Sequence, residues 1–117
     1  MAKTNPRLTK LIETLKARSR EENVSIWRSV AERLERPTRR YAEVNISKIN
    51  RHTSKNETVL VPGKVLGAGA LDHPVTVAAL SFTPSANDKI TSAKGECTLI
   101  EELIEKKPSG KGVRIIQ

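Results

Sequence analysis

Apolar positions follow a helical period at the start of the chain and a shorter, broken rhythm later. Leu8, Leu11, Ile12 and Leu15 recur at helical spacing behind Thr4, Asn5 and Pro6, where Asn5 suits a cap and Pro6 the first helical position. Ser25 can cap a second helix whose apolar side is Ile26, Trp27, Val30, Ala31 and Leu34. It ends before Pro37, because a proline ring disfavours the helical conformation in the residue ahead of it. The spacing of Trp27 with Val30, Ala31 and Leu34 predicts a core indole, since a base-stacking tryptophan would stand on the polar side.

Beyond Tyr41 the segments shorten. Val44-Asn45-Ile46 reads as a strand, Ser47 to His52 as a short helix, and Val59 to Val61 as a strand, with Pro62-Gly63 turning into Lys64-Val65-Leu66. Val75 to Leu80 predicts a buried strand, and Thr83-Pro84 opens a short helix that Gly95 ends. Thr98-Leu99-Ile100-Glu101 has the form of a capping box for a helix running to Lys107, with Leu99, Ile100, Leu103 and Ile104 inward and Pro108 as its stop. After the turn Ser109 to Gly112, Val113 to Ile116 predicts a last strand. The expected class is α/β: N-terminal helices followed by a compact layered core of short strands and short helices in repeated strand-helix units. A single domain is expected over 1–117, with a basic helical part at 1–41 and the α/β core at 42–117.

Charge changes this picture. The 117 residues carry a formal +8, and all of it lies in the first half: Met1 to Lys64 holds 15 cations against 7 anions, while Val65 to Gln117 holds 6 of each. Such asymmetry points to a polyanionic partner docking on one side, nucleic acid first and an acidic membrane surface second. A chain of this size can bury about two-thirds of its unfolded surface and needs neither disulfide nor metal to fold. The lone Cys97, beside Leu99 and Ile100, fits a buried structural thiol in a reducing, intracellular setting. No apolar run approaches the ~20 residues of a membrane span, and the N-terminus lacks the apolar segment of a secretory signal.

The cations fall into groups that suit phosphates. Arg7, Lys10 and Arg18 share one stripe of the first helix, with Lys3 upstream. Arg39 and Arg40 follow Pro37 on a turn between two packed elements, where planar guanidinium forks match phosphate oxygens, and Tyr41 adds a π-face to the same patch. Lys48 and Arg51 lie on the next short helix, and Lys64 and Lys111 stand beside glycines that open the backbone. With three aromatic residues, Trp27, Tyr41 and Phe82, reading of single strands by stacking is excluded, so phosphate and shape contacts should dominate. His52 and His73 lack companions at metal-ligand spacing, and no nucleophile elbow or catalytic carboxylate pair is present, so neither catalysis nor a metal or cofactor is expected. A small nucleotide- or RNA-modifying enzyme using Gly63 to Gly69 is the alternative. That segment nevertheless lacks the third glycine of a dinucleotide fingerprint and the Ser or Thr of a triphosphate loop. A membrane adaptor would need one basic amphipathic helix with exposed apolar anchors, whereas these cations are spread over turns and several elements.

Several segments together resemble one family. Glu32-Arg33-Leu34, Pro37, Arg40-Tyr41-Ala42 and Val44 to Ile49 resemble the signature of the archaeal and eukaryotic large-subunit ribosomal protein eighteen-e family, and Val59 to Leu71 and Val75 to Leu80 continue it. Lys94 to Leu99 and Pro108 to Gly112 are similar to a stretch that family shares with bacterial large-subunit protein fifteen. Thr38 departs from the pattern, which has a cation there, and leaves the charge to Arg39 and Arg40. Without the long basic tails of eukaryotic members the chain looks like the archaeal form. The resemblance implies a structural rRNA-binding protein of the large subunit. It would be cytoplasmic, seated in the ribosome against neighbouring ribosomal proteins, and a monomer when isolated.

Overall fold

The computed structural model describes residues 5–117. Two helices, α1 (Pro6–Glu22) and α2 (Ile26–Leu34), precede a short 3-10 turn at Thr38–Arg40. The rest alternates strand and helix: β1 (Ala42–Asn45), α3 (Ile46–His52), β2 (Thr58–Leu66), β3 (Thr76–Phe82), α4 (Pro84–Ser92), β4 (Glu96–Leu99), α5 (Ile100–Lys106) and β5 (Val113–Ile115). The strands form one fully parallel sheet ordered β1-β2-β3-β4. β5 lies beside β2 at Thr58 to Leu60, while β1 pairs with β2 at Gly63 to Leu66, so the two share one side of β2 end to end.

A parallel sheet is covered on both faces, which explains the continuous apolar runs of β2 and β3. Val59, Val61, Val77 and Ala79 join Ile46 and Ile49 of α3 and Ala86 and Ile90 of α4 in one core. Leu60 and Ala78, on the alternate positions, join Leu11 and Leu15 of α1, Trp27, Val30 and Leu34 of α2, and Ile100, Leu103 and Ile104 of α5 in the other. The result is three layers with the sheet in the middle. The expected α/β class with N-terminal helices and repeated strand-helix units matches this arrangement, and residues 1–41 include one face's cover, packed directly on the 42–117 core.

Local expectations divide. Asn5 caps α1, its Oδ1 accepting from the amides of Arg7 at 3.1 Å and Leu8 at 3.3 Å, and Thr83 caps α4 through Ala86 at 3.2 Å. Trp27 is fully buried, as its spacing predicted. Ser25 stands at the start of α2 but makes no side-chain cap bond. The capping box is also corrected: Thr98 lies inside β4, Leu99 occupies the cap position of α5, and the Glu101 carboxylate goes to Arg7 instead. The strand ladder claims Thr98 before the helix can.

Pro62-Gly63 is likewise no turn. β2 runs straight through it, with a register shift against β3 between Val61 and Lys64. On the opposite side β2 changes partner from β5 to β1 between Leu60 and Gly63, so Pro62, which has no N–H to donate, sits where the ladder is already broken. Gly63 is required there, since a Cβ would lie 2.0 Å from the Ala42 carbonyl oxygen.

Candidate nucleic-acid interface

The cation cluster after α2 is held by its own backbone and by Tyr41. The Arg40 amide donates to the Pro37 carbonyl at 2.8 Å, closing the 3-10 turn that presents Arg39 and Arg40. The Tyr41 hydroxyl donates to the Leu34 carbonyl at 2.5 Å, tying the turn to the end of α2 while the ring leans on the α1–α2 core. Partial burial pushes the phenol above its ordinary pKa, so it remains a neutral donor. Tyr41 therefore acts first as the strut of this turn.

Arg39, Tyr41 and Lys64 come together around a hollow of about 310 Å³, walled by Ala42, Glu43, Gly63, Leu80 and Ser81. Arg39, Arg40 and Lys64 are exposed and have no ion-pair partner among the described residues, although Glu43 stands opposite Lys64 in the β1–β2 register and tempers the charge there. Leu80 also links this hollow to α1, because Arg7 Nη2 donates to its carbonyl at 3.0 Å.

The α1 stripe behaves differently. Arg7 forms a two-pronged pair with Glu101, 2.7 Å from Nε and 3.2 Å from Nη2, and Arg18 Nη2 meets Glu105 at 3.0 Å. Both cations thus dock α1 on α5. The hydrogen bond to Glu101 holds the Arg7 pKa above its ordinary value; partial burial works to raise that of Glu101, but the Arg7 bond, a backbone hydrogen bond and the neighbouring charge together carry it below the ordinary carboxylate range. Lys10, between them, is exposed and has no such partner among the described residues. Lys3 lies outside the described residues.

The remaining candidates are not gathered at this hollow. Lys48 and Arg51 sit on α3, which covers the other face of the sheet, and the Lys48 ammonium donates to the main-chain oxygen of Gln117. Lys111 lies ahead of β5, in the turn whose Gly110 touches Ile26 of α2. It is at the opposite end of β2 from Lys64, since Val113 pairs with Thr58, six residues or about 20 Å away along the strand. The walls at Leu80 and Ser81 carry no sequence signal for RNA, because only the parallel pairing of β2 with β3 brings them beside Lys64.

The Gly63 to Gly69 region does not form a phosphate cradle. Gly63 is in a strand, and beyond it the loop's polar groups are spent within the protein: Lys89 Nζ donates to the carbonyls of Gly67 and Gly69, each at 2.6 Å, Asn45 Oδ1 accepts from the Ala68 amide at 3.1 Å, and the Ala68 carbonyl accepts from the Ser47 amide at 3.0 Å. Among the described residues, no three His, Cys, Asp or Glu side chains gather as a metal-ligand set. Cys97 is half-buried, and burial together with Glu96 pushes its thiol up to about 11, which keeps it un-ionised at neutral pH.

A layered parallel sheet that presents fixed cations, with the Gly67 to Gly69 loop bonded within the protein, fits a structural RNA-binding protein. The chain belongs to the family described as ribosomal protein 60S L18 and 50S L18e, whose model matches residues 2–117. It is similar to the large ribosomal subunit protein eL18 of Methanoregula boonei, 59% identical over 98% of this chain and 95% of the relative. The proteins of the same name from Methanothermobacter thermautotrophicus, 56% identical over 100% and 97%, and Halobacterium salinarum, 50% identical over the full length of both, are similar as well. These relatives are archaeal, and the family is one of ribosomal proteins rather than enzymes.

Proposed function

We propose that this chain is a structural constituent of the large ribosomal subunit that clamps folded large-subunit rRNA through phosphate and shape contacts and turns over no substrate. Its partners are that rRNA and neighbouring ribosomal proteins, as the names of its relatives imply. It acts as one domain, a monomer when isolated, in the cytoplasmic ribosome and away from membranes; no described helix is long and apolar enough to cross one. The observation that carries this reading is the convergence of Arg39 and Lys64, cations from two separated segments with no ion-pair partner among the described residues, on the rim of one hollow, with the exposed Arg40 next to Arg39 on the same turn. Arg7, Lys10, Arg18, Tyr41, Lys48, Arg51 and Lys111 belong to the same RNA-binding set, Arg7 and Arg18 through whatever donors their pairing with α5 leaves open, and Tyr41 chiefly as support of the turn. Replacing Arg39 and Arg40 together by alanine should leave thermal melting nearly unchanged, since both are exposed on a turn. Affinity for a large-subunit rRNA fragment should fall more than tenfold, because each charge-assisted phosphate contact is worth roughly 1.5 to 3 kcal/mol. Filter binding that shows parent-like affinity in a folded double variant would refute the assignment of this patch.

A further inference from the structure

A second cationic hollow, of about 590 Å³, lies between the end of α1 and the start of α2 and is lined by Lys16, Ser19, Arg20, Asn23, Ser25 and Arg28, with Val24 at its base and no carboxylate among its lining residues. Its walls are fixed. Asn23 takes the left-handed conformation at φ 53°, its amide reaching the Arg20 carbonyl at 3.4 Å and the Val24 amide the Ser19 carbonyl at 3.1 Å, while the Ser19 hydroxyl donates to the Val24 carbonyl. The two amide hydrogen bonds cap carbonyls at the end of α1, so attraction for an anion has to come from the side-chain cations. On the other wall α2 is anchored by the buried Trp27, whose Nε1 donates to the Pro108 carbonyl at 2.6 Å, so Arg28, the next residue, projects from a rigid frame.

Three cations therefore converge from two helices, and only Lys16 has an anionic partner, Glu35 at 2.8 Å on the surface. Arg20 and Arg28 are exposed and have no side-chain partner among the described residues. This differs from the other face of α1, where Arg7 and Arg18 are paired with carboxylates of α5. Arg20 stands thirteen residues beyond Arg7 on one continuous helix, which separates the two ends by about 20 Å. That span is too long for one phosphate group to bridge and is comparable to the width of an RNA duplex.

We infer that this hollow seats backbone phosphates of large-subunit rRNA, in a segment distinct from the one held at Arg39, Arg40 and Lys64, so that α1 spaces two RNA contacts apart. The inference rests on the rRNA reading above and extends it from one contact surface to two. Guanidinium forks on two helices suit the paired oxygens of a phosphodiester, whereas the absence of carboxylates in the lining offers nothing to a basic protein segment.

The test is hydroxyl-radical footprinting of a large-subunit rRNA fragment by the full chain, its R20Q/R28Q variant and its R39Q/R40Q variant, each shown by thermal melting to be folded. The parent should protect two separate segments, with R20Q/R28Q releasing one and R39Q/R40Q the other. The slope of log affinity against log salt should become shallower by about 1 to 2 in R20Q/R28Q, and R20K/R28K, which keeps the charge, should retain most of the parent slope. An unchanged footprint and slope in R20Q/R28Q, or an equal weakening of both segments, would overturn the inference while leaving the rRNA reading intact. Failure of the parent itself to bind the fragment would overturn that reading, and this inference with it.

Discussion

Trp27 is held by packing on its ring and by a 2.6 Å hydrogen bond from its Nε1 to the Pro108 carbonyl. Trp27→Ala should destabilise the fold by about 3 to 5 kcal/mol, the cost of an unfilled core cavity. Trp27→Phe should recover much of the packing yet remain below the parent, because the partly buried Pro108 carbonyl loses its donor. Urea unfolding checks both, and a parent-like midpoint for Trp27→Ala would refute the core assignment. Cys97 gives a second residue-scale expectation: with its thiol pushed up to about 11, alkylation at neutral pH should be much slower in the folded protein than in urea. A thiol that reacts equally fast in both states would contradict this. The helical spacing of Trp27 was readable from the chain, but its bond to a carbonyl 81 residues away was not.

At the scale of elements, the contact of α1 with α5 accounts for the cations that composition alone would send to RNA. Arg7 with Glu101 and Arg18 with Glu105 join helices far apart in sequence, and a helical wheel of α1 shows only that Arg7, Lys10 and Arg18 share a stripe. Glu101 is held below its ordinary pKa in the fold and regains the ordinary value on unfolding. Its contribution to stability is therefore complete above the ordinary carboxylate range and is lost as pH falls through the depressed folded value. Since Arg7 and Glu101 are both partly solvated, that contribution should stay under about 1 kcal/mol. Melting followed from about pH 6 to pH 3 should show a steeper acid loss in the parent than in Glu101→Gln; identical profiles would mean that the pair adds nothing. The same scale explains the two misread segments. A capping box and a Pro-Gly turn are local signals, and in both places sheet pairing took precedence over them.

For the whole molecule, binding by many phosphate contacts has a thermodynamic signature. With about six phosphates neutralised, log affinity for large-subunit rRNA should fall against log salt with a slope of roughly −4 to −5. A slope near zero would contradict a phosphate-based clamp. Single Lys→Ala changes at Lys106 or Lys107, in the half of the chain with no net charge, should matter far less than changes at Arg39 and Arg40. Lys106 is already paired with Glu96 at 3.1 Å. If the C-terminal changes abolish binding while the arginine pair is dispensable, the argument from charge asymmetry fails.

Periodicity, proline positions and charge count are local or additive properties, so the amino-acid order alone defined the two N-terminal helices, the alternation of strand and helix apart from the unbroken β2, the core role of Trp27 and a basic first half. Which cations stay free is neither local nor additive. It depends on the carboxylates that α5 brings to α1, on the parallel pairing that sets Lys64 beside Leu80 and Ser81, and on the turn that faces Arg20 toward Arg28. An ion pair or a hollow exists only when segments distant in sequence meet at a few ångströms. The division of this protein's positive charge between holding itself together and remaining open to RNA was therefore decided by tertiary packing.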